Sequence, residues 1–329
     1  MSVGFCGLEL AHRVINGSGT FDAIAARRAF GATLQEDFPF AAYVSKTITL
    51  QPRAGNPPPR VAETAAGMLN SIGLENVGIA KFRSEKLPKL RSLRATIVAS
   101  VGGETPRELE RLVGALGEER GIAGIEINFS CPNVAKGGAR YWAVPRRLER
   151  TLARLRPLSK AALIAKLSPD VTSIGDLARA CEQGGADAVT AVNTFVGMAV
   201  DLQHLGSKLG RATGGLSGAA IKPLALARCH EAARAVRIPV IGSGGIMNGR
   251  DALEFLAVGA AAVQVGTVSF LRPDAAGTVL AEMREFLDAR GIRRISDWRG
   301  VLASDEVLGT HGQAVLPDMT VPEPAKKAR

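Results

Sequence analysis

The sequence predicts an α/β protein folded as a (β/α)8 TIM barrel, with long loops inserted over the C-terminal face of the barrel. Three observations carry the prediction. Eight short β-branched runs recur, each nearly continuous in apolar residues, as strands buried on both faces are. Helix-like stretches with apolar residues at i, i+3 and i+4 separate most of them, and this alternation implies parallel strands with crossover helices. An open dinucleotide-binding sheet would show GxGxxG after its first strand, whereas NGSGTF has the wrong spacing. Eight units therefore close on themselves.

In order, the strand-like runs are RVINGSG from Arg13, AAYVSKTIT from Ala41, ATIVASVGG from Ala95 and GIEINFSCPN from Gly124. ALIAKLSP from Ala162, DAVTAVNT from Asp187, IPVIGSGG from Ile238 and AAVQVGT from Ala261 complete the set. The helical stretches are ELERLVGALGEE, LERTLARL, IGDLARACEQ, IKPLALARCHEAARAV and GRDALEFLAVG. Thr105 and Pro106 before the first of them read as an N-cap followed by proline at the first helical position. Two segments break the alternation: Gln51 to Leu87, rich in Pro and Gly, and Val196 to Leu216. Insertions of this length are usually functional. Residues 1–304 read as one barrel domain, and 305–329 as a C-terminal extension expected to be poorly ordered.

Composition narrows the function. A chain of 329 residues, 46% hydrophobic and 22% charged, suits a globular barrel with a sizeable core. Cys6, Cys131, Cys181 and Cys229 are scattered and form no CxxC pair, which argues against a disulfide framework or a zinc site. Free thiols, no signal peptide and no apolar run of membrane-spanning length give a cytoplasmic expectation. The net charge of +10 is dispersed over helical patterns, and aromatics make up only 5%. That favours solvated helix faces over a nucleic-acid surface.

In a barrel the chemistry gathers where the strands end. Those residues are Ser18, Lys46 and Thr47, Ser100, Asn128 to Asn133, Lys166, Asn193 and Thr194, Gly244 and Gly245, Gly266 and Thr267. They include no histidine and no pair of acids. A glycosidase needs two carboxylates, and the common hydrolytic metal sites need histidine or carboxylate ligands. GSGG and VGT end the last two strands, where such barrels bind phosphate; tight turns are the plainer reading of the same glycines. Lys46 and Lys166 would point into one mouth. Buried lysines are rare without an anion. Each either pairs with a neighbouring acid or serves a cofactor such as a flavin, whose reduced anionic form a nearby cation favours.

The carboxamides of Asn70, Asn128, Asn133 and Asn193 offer donors and acceptors suited to a planar ring with alternating C=O and N–H groups. A pyrimidinedione or a cyclic imide fits. Cys131 follows this strand end in a loop. None of His12, His204, His230 and His311 falls in a strand-end motif, so a thiol nucleophile lacks its base. A covalent thiol mechanism is therefore the weaker reading beside a general base that takes a carbon-bound proton next to a carbonyl. With an ordinary thiol pKa of about 8.5, it needs a lowered pKa or alkaline pH. Cys6, Cys181 and Cys229 read as small apolar residues.

Together INFSCPN, KTITLQPRAGNPPPRVAETAAGMLNSIGLEN, AKLSPDVT, AVNTFVGMAVD, GGLSG and IGSGGI resemble the soluble, class 1 dihydroorotate dehydrogenases, over nearly all of the chain up to Ser304. GNPPPRVAET and CPNVAKGG are similar to the catalytic FMN subunit of the NAD-linked subtype. The resemblance implies FMN-dependent oxidation of (S)-dihydroorotate to orotate in de novo pyrimidine (UMP) biosynthesis. Cys131 would take the proton from C5, while C6 gives hydride to N5 of FMN. It implies that Lys46, Asn70, Ser71, Ile72, Gly73, Leu74, Asn128, Asn133, Asn193 and Thr194 hold the substrate. Ser18, Lys46, Thr47, Ser100, Asn128, Lys166, Val192, Gly218, Gly244, Gly245, Gly266 and Thr267 would hold FMN. It further implies an electron-transfer partner subunit carrying FAD and a [2Fe-2S] cluster, around a homodimer core in a heterotetramer.

This chain departs from the family pattern at Ser100, where an asparagine is usual, in the more basic FDAIAARRAFG, and in the tail after Ser304. Two other readings compete: a related FMN barrel acting on another reduced pyrimidine such as dihydrouracil, and a flavin-free barrel that binds a phosphate ligand. The sequence has no nucleotide fingerprint after a strand and no cysteine cluster for iron–sulphur. Electrons bound for NAD would need another chain.

Overall fold

The eight apolar runs form eight parallel strands of one sheet: β1 (Val14–Asn16), β2 (Ala42–Val44), β3 (Thr96–Val101), β4 (Gly124–Asn128), β5 (Ala162–Lys166), β6 (Ala188–Ala191), β7 (Val240–Ser243) and β8 (Ala262–Val265). The computed structural model describes residues 3–30, 38–130 and 141–303. The strands are hydrogen-bonded in the order β1-β8-β7-β6-β5-β4-β3-β2. Val14, Val101, Ile127, Leu163, Val189 and Val263 are wholly buried, as both faces of the sheet require. Asn128 lies opposite Lys166, and Ser243 opposite Gln264, so the C-terminal strand ends share one rim.

The ladder leaves β1 and β2 as its two ends, and a side chain joins them. The Ala41 N–H donates to the Val14 carbonyl at 3.0 Å. Above it, Asn16 Oδ1 accepts from the Val44 N–H at 2.7 Å, and Asn16 Nδ2 donates to the Val44 carbonyl at 2.8 Å. A carboxamide carries the same donor and acceptor as a peptide group. The fully buried Asn16 therefore replaces a missing rung and closes the barrel.

Helices α1 (Ala23–Phe30), α2 (Pro106–Gly117), α3 (Pro145–Leu155), α4 (Ile174–Gln183), α5 (Lys222–Ala235), α6 (Gly249–Ala257) and α7 (Ala275–Asp288) alternate with the strands. As the spacing predicts, α2 buries Leu109, Leu112, Val113 and Leu116. Thr105 caps it by accepting from the Glu108 N–H at 3.2 Å. Ser173 and Asn248 cap α4 and α6 in the same way. Between β2 and β3 the helical connection is broken into Gly78–Lys81, a π-turn at Phe82–Lys86 and Leu87–Leu90.

The two long insertions, far apart in sequence, form one structure. Strands Val61–Thr64 and Gly67–Asn70 from the first pair antiparallel with Gly214–Ser217 and then Phe195–Gly197 from the second. Gly67 lets them meet, because a Cβ there would fall 2.0 Å from the Ser217 carbonyl oxygen. Cys181 and Cys229 are fully buried on α4 and α5, and burial pushes the Cys229 thiol up to about 12. Cys6 is only half-buried, at a tight turn. No helix among the described residues is long and apolar enough to cross a membrane. The expected C-terminal extension, 305–329, lies outside the described residues.

Asn16→Ala strands a buried donor and a buried acceptor on Val44. We expect it to lower the unfolding free energy by about 2–4 kcal/mol, read from urea denaturation. A loss under about 1 kcal/mol would show that the amide is not what holds the seam.

Candidate active site

The strand ends are joined by a continuous chain of hydroxyls and amides. Ser18 Oγ donates to the Ser45 carbonyl at 2.8 Å and lies 3.3 Å from Thr47 Oγ1. Thr47 Oγ1 is 3.0 Å from Ser100 Oγ and accepts from Asn128 Nδ2 at 3.3 Å. Asn128 Oδ1 accepts from Ser130 Oγ at 2.7 Å. Asn193 Nδ2 donates to Ser130 Oγ and approaches Asn128 Oδ1 at 3.5 Å, while its Oδ1 holds the Thr194 N–H at 2.8 Å. Ser18, Thr47, Ser100, Asn128, Asn193 and Thr194 are thus brought together as the sequence predicts. Ser100 is fully buried, with its hydroxyl on Thr47 and its N–H on Ser45 Oγ. Its place is therefore behind Thr47. Ser130 lies within the strand-end stretch Asn128 to Asn133, whereas Ser45 is inside a quoted run without standing out in it. Cys131 and Asn133 lie outside the described residues.

The two lysines differ. Lys166 is 5% exposed, and its Nζ donates to Gln264 Oε1 at 2.7 Å and lies 3.8 Å from Glu126 Oε1. Glu126 Oε2 accepts from Thr190 Oγ1 at 3.0 Å and from Gln264 Nε2 at 2.6 Å. The side chains of β4, β5, β6 and β8 therefore build a polar layer inside the barrel. Lys46 is exposed, contrary to the expectation of two buried lysines: Glu75 Oε2 lies 3.6 Å from its Nζ and also meets Arg60 at 3.1 Å. Glu75 sits at the surface of the first insertion, and its carboxylate, shared with Arg60, draws Lys46 outward.

The segment Asn70 to Leu74 crosses the mouth. Asn70 Nδ2 donates to the Gly215 carbonyl at 3.3 Å, which ties the segment to the second insertion. Ser71 is fully buried; its N–H donates to the Arg60 carbonyl and its Oγ accepts from Asn56 Nδ2. Ile72, Gly73 and Leu74 are half-buried beside it. Gly73 and Leu74 both have positive φ, and a Cβ on Gly73 would fall 2.6 Å from the Asn56 backbone nitrogen. Asn76 fixes the far end, donating to the Leu74 carbonyl at 2.7 Å and to Thr49 Oγ1 at 2.8 Å. Asn56 and Asn76 went unnoticed in the sequence, where each looks like an ordinary loop residue.

Gly218, Gly244 and Gly245 lie around the start of α5, whereas Gly266 and Thr267 follow β8 beside Gly17 and Thr20. Gly244 and Gly245 have φ of 125° and 75°, and a Cβ on either would fall 2.6 Å from α5, at Ala225 Cβ and Lys222 N. The backbone N–H groups of Gly244, Gly245, Gly266 and Thr267 make no hydrogen bond among the described residues. Unpaired backbone N–H groups at glycine-rich strand ends of this kind suit a phosphate. Buried Val192 links β6 to β7, its N–H donating to the Ser243 carbonyl at 3.1 Å. Among the described residues no cluster of three or more His, Cys, Asp or Glu could hold a metal ion.

Known proteins share this architecture. A crystal structure of DHODH from Eimeria tenella in complex with ferulenol matches with a TM-score of 0.75 over 91% of this chain and 87% of that one, at 24% identity, and so shares the fold. The catalytic subunit of dihydroorotate dehydrogenase B (NAD(+)) from Pelobacter propionicus is 44% identical over 302 residues, 92% of this chain and 98% of its own. Its namesake from Trichlorobacter lovleyi is 45% identical over 305 residues, with the same coverage. The family model described as dihydroorotate dehydrogenase matches residues 1–287. With most of its length matched in this way, the chain belongs to the dihydroorotate dehydrogenase family.

Proposed function

We propose that the chain is an FMN-binding catalytic subunit that oxidises (S)-dihydroorotate to orotate in pyrimidine synthesis and passes the electrons to NAD through a partner. The observation that carries the reading is the chain of hydroxyls and amides from Ser18 to Asn193, ending beside glycine-rich strand ends with free N–H groups. These residues fit FMN. The backbone at Gly218, Gly244, Gly245, Gly266 and Thr267 suits its phosphate. Ser18, Thr47, Asn128 and Lys166 supply donors for its ring, with Ser100 supporting Thr47 and Val192 backing the ring from β6.

Bound FMN supplies the acceptor for the hydride that leaves C6 of dihydroorotate. The protein's residues do the rest. Cys131, next to Ser130, takes the C5 proton as its thiolate. Asn70, Asn128, Asn133, Asn193 and Thr194 hold the ring amides, with Ile72, Gly73 and Leu74 of the crossing segment packed over them and Ser71 anchoring that segment. Lys46 swings from Glu75 to the substrate carboxylate. That carboxylate separates dihydroorotate from dihydrouracil, which offers Lys46 no anion to exchange for Glu75. The relatives' designation as catalytic subunits supports a separate partner chain; in this reading that chain carries FAD and a [2Fe-2S] cluster, and the assembly is built around a homodimer core in the cytoplasm.

The purified chain is expected to be yellow and to bleach on anaerobic titration with dihydroorotate but not with dihydrouracil. A flavin that stays oxidised would discard the substrate. Cys131→Ala should keep the flavin spectrum and lose about 10²–10⁴-fold in turnover; unchanged turnover removes Cys131 from the mechanism. The isolated chain should reduce dyes readily and NAD poorly, and rapid NAD reduction by this chain alone would dispose of the partner.

A further inference from the structure

Glu126 is fully buried inside the barrel, two residues below Asn128 on β4 and on the same face of the strand. An ionised carboxylate in such a place is costly unless its lone pairs are met. Thr190 and Gln264 both donate to Oε2. Oε1 has no hydrogen-bond partner, although the Lys166 ammonium lies only 3.8 Å away. That ammonium instead donates to Gln264 Oε1 at 2.7 Å. Gln264 thus touches both charges, with its NH2 on the anion and its carbonyl on the cation, and acts as a spacer between them. An apolar layer of the same volume would stabilise a barrel at least as well as a buried ion pair. Stability alone does not explain these groups.

We propose that Glu126 and Gln264 are positioning residues for Lys166, which set how much of its positive charge reaches the flavin ring at the barrel mouth. The inference rests on the flavin reading above. A cation close to a ring that gains negative charge on reduction favours the reduced form, and the carboxylate beneath holds the ammonium down in the barrel, away from the ring. Gln264 keeps the two charges from closing into a contact pair, which would draw the ammonium further down.

The test is the two-electron potential of the flavin-loaded full chain, read by anaerobic equilibration with a dye of known potential. Glu126→Gln keeps the shape and removes the negative charge. It should move the equilibrium at least tenfold toward reduced flavin, a rise of ~30 mV. Gln264→Leu removes the spacer, lets Lys166 close on Glu126, and should move the equilibrium the other way. General loosening of the barrel would not give opposite signs. In a Lys166→Gln background the Glu126→Gln effect should shrink at least threefold; an undiminished effect would mean that Glu126 acts without Lys166 and would overturn the positioning role. Unmoved potentials, or shifts in the wrong direction, overturn it too. A wild-type chain that takes up no FMN would overturn the flavin reading itself, and this inference with it.

Discussion

Eight parallel strands make a sheet with two free edges, and in this barrel a carboxamide, above one backbone hydrogen bond, joins them. Asn16 gives Val44 the donor and the acceptor that a neighbouring backbone would have given. The mouth inherits its geometry from that closure. Ser18 follows two residues after Asn16 and reaches the Ser45 carbonyl, one residue past Val44. Thr47 then meets Ser18, Ser100 and Asn128. A slip at the seam would separate Ser18 from Thr47 and break the chain of polar groups at its start.

The polar groups above the seam divide into fixed and movable ones. The Lys46–Glu75 pair is half-exposed, with 3.6 Å between the charges. Pairs of that kind contribute ~0–1 kcal/mol, so a ligand carboxylate can take the lysine over at small cost. Lys166 sits in the barrel interior, and breaking a buried pair by losing one partner costs ~3–5 kcal/mol. It stays where the interior places it. One rim therefore holds a mobile cation facing solvent and an anchored one facing the core.

The strands were legible because each is a short apolar run and the alternation with helices is regular. The rim residues were legible because barrel topology converts position at a strand end into position at the site. What escaped was non-local. Asn16 looks like a turn residue in VINGSG, and only the return of β2 beside it reveals the seam. Glu126, Thr190 and Gln264 each stand alone among apolar neighbours in three separate strands. A polar residue inside a strand buried on both faces does demand a partner, and that signal was present in GIEIN, AVTAV and AVQVG. The partner's identity was not, because the strands lie 64 to 138 positions apart. Lys46 was read as buried because its strand is buried, whereas the acid that draws it outward lies in an insertion whose path the sequence did not reveal.

The sheet shared by the two insertions ties their histories together. The hairpin after β2 and the strands after β6 complete each other's backbone hydrogen bonds, Asn70 pairing with Gly215 and Met68 with Ser217. Neither can be shortened, lengthened or exchanged alone without leaving an open ladder edge over the mouth. A graft that moves one loop between barrels of this kind would carry half a lid. Loops far apart in the chain but joined in one sheet are thus inherited as one unit, and divergence in what the mouth accepts has to pass through paired changes some 145 positions apart.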